Sequence, residues 1–125
     1  MDTELTYLAW SAFLCIVLWL PYVLERVQSQ GLVTTLNYPE RPPTPAAWAQ
    51  RAHRAHLNMV ENLPAFAVLV IIAHLTDVNA ATGAALFFWA RLLHAVVHIM
   101  GIPYIRTLAF AASWIGMLII FFSVL

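Results

Sequence analysis

Lysine is absent from this sequence, and all six of its basic residues other than histidine are arginines. Arginine presents a planar fork of donors that pairs with a carboxylate through two parallel hydrogen bonds, whereas the lysine ammonium is a strongly hydrated point charge. A chain that needs positive charge only for solubility uses lysine freely. Its absence therefore favours arginines that bind something over arginines that only face water.

Charged residues of either sign are also scarce. They make up 10% of the sequence against 62% hydrophobic residues, and the mean hydropathy is +0.79. A soluble domain carries roughly 25% charged residues, so this chain lacks the polar surface that would coat one. A formal net charge of zero argues against nucleic-acid binding. We therefore expect an integral membrane protein that does not bind nucleic acid.

Cysteine occurs once, at Cys15. A single cysteine excludes an internal disulfide framework. Cys15 lies inside an apolar run, where a thiol packs as a small hydrophobic side chain. We expect its role to be structural.

Four apolar stretches are each long enough to cross a bilayer, which takes about 20 helical residues. They predict an all-α fold, an integral membrane four-helix bundle that forms one domain over residues 1–125. The predicted spans are about 5–26, 46–75, 79–100 and 105–125.

Prolines in and beside these spans predict where the helices begin, bend or end. Pro21 predicts a kink or an end in the first helix, because proline removes a backbone donor and its ring clashes with the preceding turn. In the polar connection over 27–44, the prolines are expected to prevent a continuous helix and to favour extended or turn structure. Thr44 and Pro45 are then predicted to be the N-cap and first residue of the second helix. Within that helix, Pro64 predicts a bend.

The orientation follows from the charges outside the spans. Arg26 and Arg41 lie in the connection between the first two spans, whereas the opposite side carries only acidic residues. By the positive-inside rule that connection is cytoplasmic and both termini lie on the non-cytoplasmic side. In a bacterium the membrane would be the inner, or plasma, membrane.

Two polar stripes enter the predicted bilayer. Residues at i, i+3, i+7 and i+10 share one face of a helix, and so do residues at i, i+3 and i+7. The first stripe is Arg51, Arg54, Asn58 and Glu61 on the second helix, and the second is Arg91, His94 and His98 on the third.

The spans hold more arginines than carboxylates. Glu61 is expected to pair with Arg91 or Arg54, and an uncompensated charge in hydrocarbon costs several kcal/mol. The other arginines must therefore face headgroups, water or an anionic ligand. A small ligand with several carboxylates matches both the excess charge and the preference for arginine.

A purely structural interpretation is the alternative. Arg51 and Arg54 would then extend to the lipid headgroups, while Asn58 and Glu61, or Arg91 and Glu61, would form a polar network between helices. A metal site is disfavoured, because no carboxylate or cysteine completes a ligand set with the histidines, and His53 and His74 are expected to be bystanders.

The string Arg54–Pro64, with the pattern R-x-H-L-N-x-x-E-N-x-P, resembles the second-helix signature of the MAPEG family, the membrane-associated proteins in eicosanoid and glutathione metabolism. This family includes the microsomal glutathione transferases. Arg91-x-x-His94 is similar to the family's third-helix motif, and Arg106-Thr107 is similar to the pair that opens its fourth helix. The resemblance covers nearly the whole chain.

The resemblance implies a homotrimer of four-helix bundles that holds glutathione between neighbouring subunits, open to the cytoplasm. Arg106 would stabilise the glutathione thiolate, with help from Thr107, because positive charge favours the thiolate over the thiol. The residues implied to contribute to the glutathione site are Arg54, Asn58, Glu61, Arg91, His94 and His98. We expect Arg51 to bind a glutathione carboxylate together with Arg54 and Arg91.

Two positions depart from part of the family. Phe110 and His98 stand where prostaglandin E synthase members carry tyrosine, which argues against prostaglandin synthesis more than against glutathione binding. We therefore expect a glutathione transferase or peroxidase acting on lipophilic electrophiles or hydroperoxides from the membrane lipid. The alternative is a non-catalytic lipid-binding or scaffold protein, as in the lipoxygenase-activating member of the same family. A cation exporter is disfavoured by the excess of arginine.

Overall fold

In the computed structural model, which describes residues 2–37 and 44–125, every regular element is an α-helix. Helix α1 spans Thr3–Val17, α2 Leu20–Gln30, α3 Leu32–Leu36, α4 Ala47–Leu75, α5 Ala81–Met100 and α6 Pro103–Val124. With α1 and α2 taken together, four segments are long and apolar enough to cross a membrane. The expected all-α architecture with four membrane helices is confirmed.

The first span breaks before its proline. Helix α1 ends at Val17, and α2 begins at Leu20 with Pro21 in its first turn. A proline ring clashes with the carbonyl four residues earlier, which here belongs to Val17. The break predicted at Pro21 therefore falls just upstream of it, and α2 then continues to Gln30.

The connection to the second span is more helical than expected. Helices α2 and α3 occupy most of 27–36, so the extended or turn structure predicted there is wrong. Gly31 separates the two helices with φ +86°, a value that glycine adopts without strain. The proline-rich segment 38–43 lies outside the described residues.

Helix α4 starts two residues later than predicted. Its N-cap is Ala46, in an extended conformation, so the predicted cap at Thr44 with Pro45 as first helical residue is wrong. The Gln50 side chain instead donates to the Pro45 carbonyl at 2.9 Å. The helix then passes through Pro64 without interruption and reaches Leu75 after 29 residues. At about 1.5 Å per residue it exceeds the thickness of the hydrocarbon layer.

Helix α5 is the most buried of the four membrane segments and packs against α1, α4 and α6. The aromatic rings of Phe66 on α4 and Phe87 on α5 stack with centroids 3.8 Å apart, and both side chains are fully buried. On the opposite side, α5 and α6 approach each other closely at two glycines, Gly83 and Gly116. A small residue on each helix lets the two backbones come together, as is common in membrane bundles.

The variant Gly116→Ala should lower the unfolding temperature of the protein in detergent. Its added methyl group would lie 2.8 Å from the Gly83 carbonyl oxygen and 3.0 Å from the Phe87 amide nitrogen, so the helices would have to separate. Overpacking of this kind costs about 1–3 kcal/mol. Loss of helical circular dichroism on heating measures the effect, with Ala9→Val on the exposed face of α1 as control. An unchanged midpoint for Gly116→Ala would contradict the close approach.

Candidate functional site

Arg91 lies at the centre of the polar region, with only 1% of its surface exposed. One terminal nitrogen donates to Asn58 Oδ1 on α4 at 2.5 Å, and the other lies 3.4 Å from Ser113 Oγ on α6. Its Nε has no hydrogen-bond partner among the described residues. The guanidinium also lies 5.9 Å from the centre of the Phe110 ring. A buried cation is therefore held by three helices through neutral groups.

The expected ion pair of Glu61 with Arg91 or Arg54 does not form among the described residues. The one contact there between a basic side chain and a carboxylate is that of His74 Nδ1 with Asp2, and Glu61 is exposed. Asn58 takes the place that Glu61 was predicted to fill, because it lies one turn earlier on α4 and faces α5. Neutral oxygens therefore accept hydrogen bonds from Arg91, but no carboxylate among the described residues neutralises its positive charge.

A cavity of about 230 Å³ opens beside this network. It combines residues from the two predicted stripes with the first turns of α6. Its lining residues are Asn58, His94, His98, Arg106, Thr107 and Phe110. None of these side chains is a carboxylate, so the lining is polar, aromatic and cationic.

The two histidines are buried one turn apart on α5, with ring centroids separated by 5.3 Å. His98 Nδ1 has no hydrogen-bond partner in the described part of the chain. Arg106 and Thr107 stand on the facing helix, and the Thr107 hydroxyl lies 3.4 Å from the Pro103 carbonyl oxygen. The N-terminus of α6, with the positive end of its dipole, therefore faces the same cavity as an arginine.

Arg51 lies outside the cavity lining. Its Nε donates to the Ile99 carbonyl at 2.9 Å, and its guanidinium packs against Gly101. Gly101 has φ +79° and connects α5 to α6. Arg51 therefore caps the C-terminal end of α5, where carbonyls without helical partners favour a cation, and it ties α4 to the corner that carries Arg106.

Arg54 is exposed and lines a second cleft, of about 170 Å³, between α2 and α4. Arg26 and Tyr22 line the same cleft, and the Tyr22 hydroxyl lies 2.9 Å from His56 Nδ1. The structure therefore brings Asn58, Arg91, His94, His98, Arg106 and Thr107 together, and it places Arg54 and Glu61 on the surface of the chain.

Ser113 is the participant that the sequence analysis missed. Its hydroxyl donates to the Phe110 carbonyl at 2.7 Å and offers its oxygen to Arg91. The spacing contained a signal, because Arg106, Phe110 and Ser113 stand at i, i+4 and i+7 and share one face of α6. This face of α6 lies against the polar stripes of α4 and α5.

Comparison with known families supplies one finding. A family model described as MAPEG family matches residues 5–125, essentially the whole chain. Comparisons with curated proteins and with solved structures gave no match.

Removing the Asn58 acceptor should destabilise the fold. The variant Asn58→Leu leaves the Arg91 guanidinium buried without its shortest hydrogen bond, at a cost of about 1.5–3 kcal/mol. Unfolding in mixed micelles of increasing sodium dodecyl sulfate measures this loss. In the double variant with Arg91→Leu the loss attributable to Asn58 should largely disappear, because both polar partners are then gone. Strict additivity of the two changes would contradict a direct interaction.

Proposed function

The chain belongs to the MAPEG family, and on that premise we propose that it is a glutathione-dependent membrane enzyme. It would conjugate glutathione to lipophilic electrophiles or use it to reduce lipophilic hydroperoxides. The site would be the cavity between α4, α5 and α6.

The burial of Arg91 without a carboxylate partner carries this proposal. A charge inside a membrane bundle costs several kcal/mol unless it is compensated. Asn58 and Ser113 supply only neutral oxygens, and Nε remains without a partner among the described residues. Glutathione has two carboxylates, so it fits a cationic cavity whose described lining includes no acidic residue.

The dimensions of the cavity support a site shared between subunits. Its volume of about 230 Å³ is below the roughly 300–1,000 Å³ of typical ligand pockets. Arg54 and Glu61 are exposed on α4, the helix that also carries Asn58 into the cavity. In a homotrimer, a neighbouring chain would cover these side chains, and Arg54 and Glu61 would complete the site from its rim.

Each residue then has a proposed role. Asn58, Arg91, His94 and His98 would bind the tripeptide from α4 and α5, while Arg51 would hold the corner between α5 and α6 in position. Glutathione supplies a thiol, which is a nucleophile once it is deprotonated. Arg106 would hold the negative charge on that sulfur, assisted by the positive end of α6 and by the Thr107 hydroxyl.

A lipophilic substrate would arrive from the bilayer. A groove of about 330 Å³ lies between α1 and α5, and its accessible lining is entirely apolar. Trp10, Phe13 and Phe88 supply its aromatic rings. The opening of the thiol site would be cytoplasmic, with both termini on the opposite side, if the arginine distribution sets the orientation.

The same groove also favours a second candidate function, non-catalytic lipid binding or scaffolding. The enzyme must deprotonate the glutathione thiol, whereas a lipid-binding or scaffold protein would not. Ultraviolet absorbance of the thiolate, recorded on mixing glutathione with the purified protein, separates them. Glutathione binding without a thiolate signal would leave the scaffold function and remove the enzyme.

Replacing Arg106 should abolish activation of the thiol. The variant Arg106→Gln should reduce turnover of glutathione with a lipophilic electrophile by about 10²- to 10³-fold, the usual cost of losing one donor to a developing anion. The thiolate absorbance should fall in parallel. Arg106→Lys is the matched control, because it keeps the charge and should retain much of the signal. Equal activity in Arg106→Gln and wild type would exclude this role.

The proposed trimer can be tested by mass. Native mass spectrometry of the detergent-solubilised protein should give the mass of three chains of 14.0 kDa.

Glu61→Leu and Arg54→Leu should reduce glutathione binding even though neither residue lines the cavity of the single chain. A monomer that binds glutathione with full affinity would contradict a shared site.

A further inference from the structure

A second group of polar side chains lies at the opposite end of the bundle. Asp2 is the N-cap of α1, Glu4 is in the first turn of that helix, and His74 is in the last turn of α4. The Asp2 carboxylate and His74 Nδ1 are 3.1 Å apart. One potential ligand atom from each of the three residues lies within 4.8 Å of the other two. Two carboxylates and an imidazole therefore converge from helices that are distant in sequence.

The burial of Glu4 is the unexplained part of this group. Only 8% of the residue is exposed, and its carboxylate makes no hydrogen bond or ion pair with a residue in 2–37 or 44–125. The carboxylate oxygens of Glu4 are not among the fully buried polar atoms, so they open into the cleft that Glu4 lines and are available to a cation. His74 already faces Asp2, and the Asp2 carboxylate makes no capping hydrogen bond to α1. The group thus has acceptor oxygens in excess of its donors.

The surroundings favour a cation. The three residues line an open cleft of about 380 Å³ that also contains Asp77 and Asn79, and none of the arginines that the structure describes lines it. The side chains of His74 and Asp2 are 41% and 63% exposed, so an ion can reach them from water. Three carboxylates around one small cleft create a field that concentrates cations.

We propose that Asp2, Glu4 and His74 form a binding site for a divalent first-row transition metal ion, with zinc as the best probe. An imidazole nitrogen with two carboxylate oxygens suits such ions, whereas magnesium and calcium prefer oxygen ligands alone. Ligand atoms about 2.1 Å from a tetrahedral zinc ion are roughly 3.4 Å apart. Asp2 and His74 are already near that spacing, and water would complete the coordination. The ion would join the start of α1 to the end of α4.

Isothermal titration calorimetry with zinc chloride tests this site on the full chain, purified in detergent without a polyhistidine tag. The wild type should bind one zinc ion per chain with a saturable isotherm. Glu4→Gln and His74→Gln should each weaken binding by at least about tenfold, because even the loss of an outer-shell partner costs that much. Asp77→Asn removes the same charge from the same cleft outside the ligand group, and His53→Gln removes an imidazole from the far end of α4. Both controls should keep the wild-type affinity.

Several results would overturn the site. The proposal is contradicted if the folded wild type binds no zinc saturably, or if Asp77→Asn weakens zinc binding as much as Glu4→Gln does. Tighter binding of calcium than of zinc would also contradict the proposal. A second readout covers a variant that folds poorly. Zinc should raise the unfolding temperature of the wild type, since it binds the folded state, and should not raise that of Asp2→Asn or His74→Gln.

Discussion

A guanidinium group with almost no access to water lies among three membrane helices, and much of the bundle's geometry follows from it. Arg91 on α5 cannot be hydrated, so its donors must find acceptors on neighbouring helices. Asn58 on α4 and Ser113 on α6 provide them. These contacts require one register of the three helices, because a shift of a single residue along either neighbour would turn the acceptor away. The interaction therefore determines which faces meet.

The close packing of small residues makes that register possible. At Gly83 and Gly116 the backbones of α5 and α6 approach within the distance at which a side chain would clash. This contact brings α6 against α5 along much of its length. The face of α6 that carries Arg106, Phe110 and Ser113 consequently meets the face of α5 that carries His94 and Arg91. Without it, Arg106 and the histidines would not border the same cavity.

Positive charge in and beside this cavity exceeds what the described residues neutralise. Arg91, buried beside the cavity, donates to neutral oxygens, and Arg106 lines the cavity without a carboxylate among the described lining residues. Glu61, the acidic residue of the first stripe, is exposed on the outside of the chain. A structural salt-bridge network would have directed that carboxylate inward. The arrangement is instead the one expected of the anion site proposed above. The acidic cleft around Glu4 has the opposite sign and lies at the other end of the bundle, so the chain is electrically polarised along its length.

The sequence by itself determined the all-α membrane architecture, the family and the two polar stripes, because hydrophobic run length and helical periodicity are local properties of a chain. It also supplied the residues that line the cavity, since the motifs around Arg54, Arg91 and Arg106 are compact. It misassigned the partner of Arg91 and the start of α4, and it missed Ser113 and the grouping of His74 with Asp2 and Glu4. Only the tertiary structure decided these points. Asn58 and Glu61 share one face of α4 and differ by only about 60° in direction, so which of them reaches Arg91 depends on how the helices rotate and pack against one another.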